Sequence, residues 1–284
     1  MNWIKSRGVT LILVAVLLVG LGLIAYPTVA DYWNSFHQSR AIASYAETVA
    51  AVDDTDYEKI LEDAHTYNEK LAGEAVHWEL SDEEKQDYNS QLDVTGTGIM
   101  GYIEIDKIKC SLPIYHGTDE GVLQIAIGHI AGSSLPVGGE STHVVLSGHR
   151  GLPSAKLFTD LDKLELKDTF VIRTMDEMLT YEVDQILIVE PDNLTALGIE
   201  EGKDLCTLVT CTPYGINTHR LLVRGHRVEN AAAVSRVRVT ADAIQIDKVM
   251  VAPFVAAPIL LILIIYVFVS TGGNRNKRRK REDT

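Results

Sequence analysis

A mainly β domain, preceded by a helical appendage and flanked by two membrane spans, is the architecture predicted for this chain of 284 residues. Three observations predict it. Over residues 99–230, short β-branched and apolar runs alternate with Gly, Pro, Asn and Asp turns. Over residues 31–98, apolar side chains repeat instead at three- and four-residue steps, the period of a helix. Residues 9–30 and 249–269 are apolar stretches long enough to cross a bilayer, which takes roughly 20 residues.

Lys5 and Arg7 precede the first stretch, which places the N-terminus in the cytoplasm. A cleavable signal peptide is the competing reading, but an Ala-x-Ala pattern is absent and the small-residue site at 27–30 is poor, so an uncleaved anchor is expected. The second stretch carries no charge and is followed by Arg275, Lys277, Arg278, Arg279, Lys280 and Arg281. Both termini are then cytoplasmic, and residues 31–248 lie outside the cell. Pro253 and Pro258 are tolerated in such a span. The chain thus divides into a stub and span (1–30), the appendage (31–98), a mainly β domain (99–230), a juxtamembrane linker (231–248), a second span (249–270) and a basic tail (271–284).

In the appendage, Tyr32, Trp33, Phe36, Ile42, Tyr45 and Val49 mark a first helix. Thr55 with Glu58 offers a capping box for a second, carrying Tyr57, Ile60, Leu61, Ala64 and Leu71; Ser81 with Glu84 offers another for a third, through about Tyr88. These helices pack or space. Trp78 stands out, because an aromatic in a linker can cover a cleft. In the β domain, 100–105 and 108–114 read as strands, with Pro113 placing the second at an edge or an end. A short apolar helix is expected over 122–130, a strand over 142–147, a helix from Pro153 carrying Leu157, Phe158 and Leu161, strands over 169–173 and 179–189, and one helical turn over 192–197.

Chemistry concentrates in residues 205–225. One strand-like run ends at Cys211, just before Pro213; a second begins at Arg220 and closes at Gly225; the connection holds Pro213, Gly215 and Asn217. If the two strands are antiparallel neighbours, Cys211 and Arg220 lie side by side. The thiolate is the useful nucleophile, and a nearby cation favours it. Arg stays charged and presents its donors in a fixed fork suited to a developing oxyanion. Losing one such donor typically costs roughly 2.7–4 kcal/mol of transition-state stabilisation. The proton donor this pair needs is expected at His149, at the tip of the 142–148 run.

The segments Leu146-Ser147-Gly148-His149 and Thr207-Leu208-Val209-Thr210-Cys211, with Arg220 downstream, resemble the signature of the sortases, membrane-anchored cysteine transpeptidases of Gram-positive bacteria. The resemblance covers about residues 100–228. It implies an eight-stranded β-barrel with Cys211 as nucleophile, His149 as acid/base and Arg220 as substrate and oxyanion ligand, all at one end. It also implies an acyl donor with a Leu-Pro-x-Thr-Gly-like signal, cut between Thr and Gly, and an amine acceptor. Two spans, the second just after the barrel, resemble the pilin-polymerising class C, whose acceptor is a pilin lysine; a wall-anchoring enzyme would use a peptidoglycan precursor. Class C sortases commonly carry an Asp-Pro-aromatic lid in the appendage, yet no proline lies between Pro27 and Pro113. The lid is then either lost or divergent, built from residues such as His77, Trp78 and Asp82. A cysteine peptidase transferring to water and an idle surface scaffold are the other readings.

The net charge is −13, and residues 8–272 alone hold 18 basic against 37 acidic residues. So acidic a body argues against nucleic acid as a partner, since that affinity rests on neutralising phosphates. A lysine-rich protein surface would suit it, though solubility alone accounts equally well for such a charge; membrane lipid is a partner through the two spans. Cys110, Cys206 and Cys211 form no zinc spacing, and no cofactor or metal is expected. Cys206 and Cys211 face opposite sides of one strand and cannot easily bridge; a Cys110–Cys206 disulfide is the other pairing open to the chain. Among the remaining histidines, His143 shares the strand of His149 but lies deep in it, His116, His129 and His226 read as surface or packing residues, and His219 points away from Arg220. His37, His65 and His77 belong to the appendage. Arg224 rivals Arg220 but is farther from the Cys211 turn.

Overall fold

The computed structural model describes residues 2–73 and 78–230. Helix α1 (Asn2–Ala51) is continuous through Pro27. Among the described residues it is the one helix long and apolar enough to cross a membrane. The expected second span at 249–270 lies outside the described residues. From Ala30 the chain through the barrel forms one compact unit, whereas the first residues of α1 belong to another.

Helices α2 (Asp54–Ala72) and α3 (Asp82–Ser90) complete the appendage. The cap of α2 is not Thr55 but Asp53, whose carboxylate accepts from Asp56 N at 2.9 Å. Asp is as good an N-cap as Thr, and starting two residues earlier adds to the helix. At α3 the expected box is present: Ser81 Oγ accepts from Glu84 N, and the Glu84 carboxylate accepts from Ser81 N. Polar groups at the ends of these helices tie them to the barrel. Tyr45 Oη donates to Met100 O and accepts from Met175 N, while Asn68 exchanges two hydrogen bonds with the backbone of Leu135. Near its start, this part of α1 reaches the segment after β4: Asp31 accepts from Lys156 N and Asn34 donates to Ser154 O.

Eight strands close into a barrel in the order β1-β2-β3-β4-β7-β8-β6-β5. They are β1 (Ile99–Ile105), β2 (Cys110–His116), β3 (Ile127–His129), β4 (Thr142–Ser147), β5 (Thr169–Thr174), β6 (Glu177–Val189), β7 (Asp204–Thr212) and β8 (His219–Val228). Alternate residues of these strands fill the interior, among them Ile103, Ile114, Val144, Cys206, Leu208 and Val223. Closure leaves no sheet edge for β2, but its pairing with β3 starts only at Ile114, so Pro113 sits where no N–H is demanded.

Two expected helices are corrected. Over 122–130 the helix α4 (Glu120–Leu123) is a single turn, and β3 follows it; a short apolar run fits either state, and parallel pairing of Ile127 with Ile114 captures it as strand. After Pro153 no α-helix forms. Leu157 takes a left-handed φ of 37°, Phe158 N donates back to His149 O at 3.1 Å, and only a 3-10 turn at Leu161–Lys163 remains. That fold-back packs Phe158 into the core beneath the His149 turn.

Candidate active site

Topology brings the three expected residues to one mouth. Strands β4 and β7 run parallel, so both leave the barrel wall at the same end, and β8 returns antiparallel from there. Cys211 is the direct register partner of Arg220. On the other side of β7, Ser147 pairs with Val209, Gly148 N donates to Val209 O at 3.0 Å, and Thr210 Oγ1 donates to Gly148 O at 2.7 Å. Two residues further along both segments, the Arg150 guanidinium reaches Thr212 Oγ1 at 3.4 Å. Contacts of the residues flanking His149 with those flanking Cys211 therefore hold the two segments together.

Gly148 is needed for this closeness. A Cβ there would come within 2.5 Å of Ile127 Cδ1 and 2.7 Å of Phe158 Cδ2, so any side chain would lift the His149 turn off the core. Cys211 and His149 are half-buried, as is Arg220, whose Nη1 donates to the carbonyls of His219 and Asn217.

The outer face of this sheet is graded along its strands. Nearest the far end, His143 Nε2 and Thr207 Oγ1 lie 2.7 Å apart, and Arg224 pairs with Asp184 and Glu200. In the middle, Val145, Val209 and Leu222 form an apolar floor with Leu197, walled by Ile130, Ala196, Leu187 and Val189. Trp78 packs on that floor. Cys211 follows Val209 by two residues, on the same face. The sequence reading expects an aromatic at Trp78 able to cover a cleft, but it does not say which strands supply the cleft. Its signal lies in β7, where Leu205, Cys206, Leu208 and Val209 put apolar side chains on both faces of the strand, with Thr207 between them.

The rival groups are all engaged elsewhere. Burial pushes the Cys110 thiol up to about 12 and the Cys206 thiol well above its ordinary range, as expected of packing residues; all three cysteines are free, so the 110–206 disulfide does not form. His143 is held below the ordinary histidine value by burial, with Nδ1 against Gly198 O. His129 is fully enclosed and lowered to about 4, again by burial. His116 faces the carbonyls of Gly98 and Gln91 with its two ring nitrogens. Arg224 is committed to two carboxylates and is not the free cation near Cys211. No group of three or more metal-ligating side chains occurs among the described residues.

Comparison with known proteins fits this geometry. A family model described as the sortase domain matches residues 103–228. The crystal structure of sortase C1 from Streptococcus agalactiae is 56% identical, with a TM-score of 0.66, over 68% of this chain and 100% of that one. The chain belongs to the sortase family. Sortase C of Streptococcus pneumoniae is 40% identical with a TM-score of 0.61, over 69% of this sortase and 100% of its own length. Sortase D of Bacillus subtilis is 33% identical over 131 residues, which is 45% of this chain and 63% of that relative. Sortases are cysteine transpeptidases, and the barrel mouth described above is where this sortase carries a cysteine, a histidine and an arginine.

Proposed function

We propose that this sortase joins proteins through a thioacyl intermediate on Cys211, with His149 as acid/base and Arg220 as oxyanion ligand. The observation that carries the reading is the bracketing of Cys211 between its register partner Arg220 and the His149 turn, at the end of an apolar floor. In the first step the Cys211 thiolate attacks the Thr carbonyl of a Leu-Pro-x-Thr-Gly-like signal, forming the C–S bond. Arg220 holds the oxyanion, and His149 gives its proton to the departing Gly amine as the peptide bond breaks. General acid help of this kind is worth roughly 10²–10⁴-fold. In the second step an acceptor amine attacks the thioester, loses a proton to His149, and releases Cys211. The floor of Val145, Val209 and Leu222 suits the Leu and Pro side chains of the donor.

The acceptor we favour is a pilin lysine. Class C sortases resemble this chain over their whole solved length, and the structural study of the pneumococcal enzyme concerned pilin substrate specificity. Trp78 then serves as a divergent lid, occupying the floor that the donor needs. Helix α1 anchors the enzyme, with the barrel on the outer side of the membrane. Incubating the full chain with a Leu-Pro-x-Thr-Gly peptide and a lysine-bearing pilin fragment tests the reading. An isopeptide product supports it; cleavage alone indicates a peptidase, joining to a peptidoglycan precursor alone a wall-anchoring enzyme, and no turnover a scaffold.

A further inference from the structure

Arg150 follows His149 directly, and none of the roles above uses it. Its side chain is only 9% exposed. From that enclosed position it reaches three segments. Nη2 pairs with Asp162 in the 3-10 turn, Nη1 donates to Thr212 Oγ1 at 3.4 Å, and the guanidinium carbon lies 5.8 Å from the centre of the Tyr214 ring. Its Nε is buried with no partner. An enclosed cation with an unmet donor is a costly way to stabilise a fold, since an apolar side chain of similar size would avoid both penalties. The targets explain the arrangement better. Thr212 adjoins Cys211, Tyr214 stands in the β7–β8 connection, and Asp162 fixes the guanidinium to the segment that folds back under His149.

Gly151 completes the seat. It has a φ of 76°, and a Cβ there would come within 2.9 Å of the Tyr214 ring, so the ring rests directly on this backbone. Lysine could replace the arginine only in part, because it keeps the charge but only a planar fork can pair, donate sideways and lie over a ring at once.

We propose that Arg150 is a positioning residue: it clamps the turn carrying His149 to the connection that follows Cys211, and so sets the approach of imidazole to thiol. This rests on the roles proposed for His149 and Cys211, and it acts through them. The test uses the full chain in detergent micelles, with Arg150→Gln, Arg150→Lys and Asp162→Asn. The first readout is the rate of Cys211 alkylation by iodoacetamide as a function of pH, which needs no substrate. The second is kcat and KM for acyl transfer from the donor peptide.

Arg150→Gln is expected to lower kcat roughly 100-fold, the scale of an ångström-sized misplacement, with KM changed by less than about 3-fold. Arg150→Lys should fall between it and the parent. The alkylation profile of Arg150→Gln should move to that of His149→Ala, and adding Arg150→Gln to His149→Ala should change it no further, as for residues acting as one unit. A folded Arg150→Gln chain with the parent's profile, or effects that multiply in the double variant, overturns the proposal. If Arg150→Gln does not fold, Asp162→Asn decides: a profile shifted in the same direction supports the clamp and an unchanged one rejects it. Should the parent alkylate normally yet transfer no acyl group, the transpeptidase reading fails while the alkylation comparison still judges Arg150.

Discussion

At the residue scale, the account assigns different losses to three side chains. Cys211→Ala removes the atom that forms the thioester and should abolish both ligation and cleavage. Arg220→Ala removes donors to the oxyanion and should cost about 100- to 1,000-fold in kcat. His149→Ala should cost about 100- to 10,000-fold, with the acceptor step hit as well as the donor step. Steady-state ligation of a donor peptide separates these; an Arg220→Ala chain as active as the parent would remove that residue from the mechanism. Arg220 was legible because one turn and two strands suffice to pair it with Cys211, which needs only local reading. The placement of His149 depends on a parallel pairing of strands more than fifty residues apart in sequence, and periodicity says nothing about which strands meet.

At the element scale, the appendage is held by polar latches, and α3 has the most telling one. Tyr88 Oη lies 2.9 Å from His129 Nδ1 and accepts from Gly117 N at 3.0 Å, while His129 Nε2 is 2.8 Å from Ser134 O. The native His129 value is about 4, below its ordinary 6.5, so between these limits the unfolded chain binds a proton that the native latch does not. Stability from this group is therefore complete above about pH 6.5 and falls by about 3 kcal/mol as the pH drops through 4. Urea midpoints over that window should decline more steeply for the parent than for His129→Asn; parallel curves would show that the latch is not titrating. Trp78 belongs to the same scale. Trp78→Ala uncovers the apolar floor and should raise the rate of peptide cleavage several-fold, with a lower KM; a slower variant would mean that the indole helps bind the donor rather than block it. Sequence patterning found α3 and its capping box because both are local. It missed β3 and invented a helix after Pro153 because those segments take their state from partners: Ile114 captures Ile127, and His149 draws back Phe158.

At the scale of the whole molecule, function follows from how a closed sheet orders its ends. Two parallel strands and one antiparallel return put a thiol, an imidazole and a guanidinium at one mouth, although they come from positions 149, 211 and 220 of the chain. In the topology proposed above, read from the basic residues before the apolar part of α1, that mouth faces outside the cell. A thiol reagent that cannot cross membranes should therefore label Cys211 in intact cells; labelling only after lysis would place the barrel inside. The convergence itself is tested most directly by trapping the intermediate. Full-length chain is mixed with a Leu-Pro-x-Thr-Gly peptide and quenched in acid, and the cysteine-bearing fragments are weighed by mass spectrometry. The account predicts a thioester on Cys211 bearing the donor up to its Thr, absent from Cys110 and Cys206 and strongly depleted in His149→Ala. An adduct on either other cysteine, or no adduct while the peptide is still cut, would contradict it.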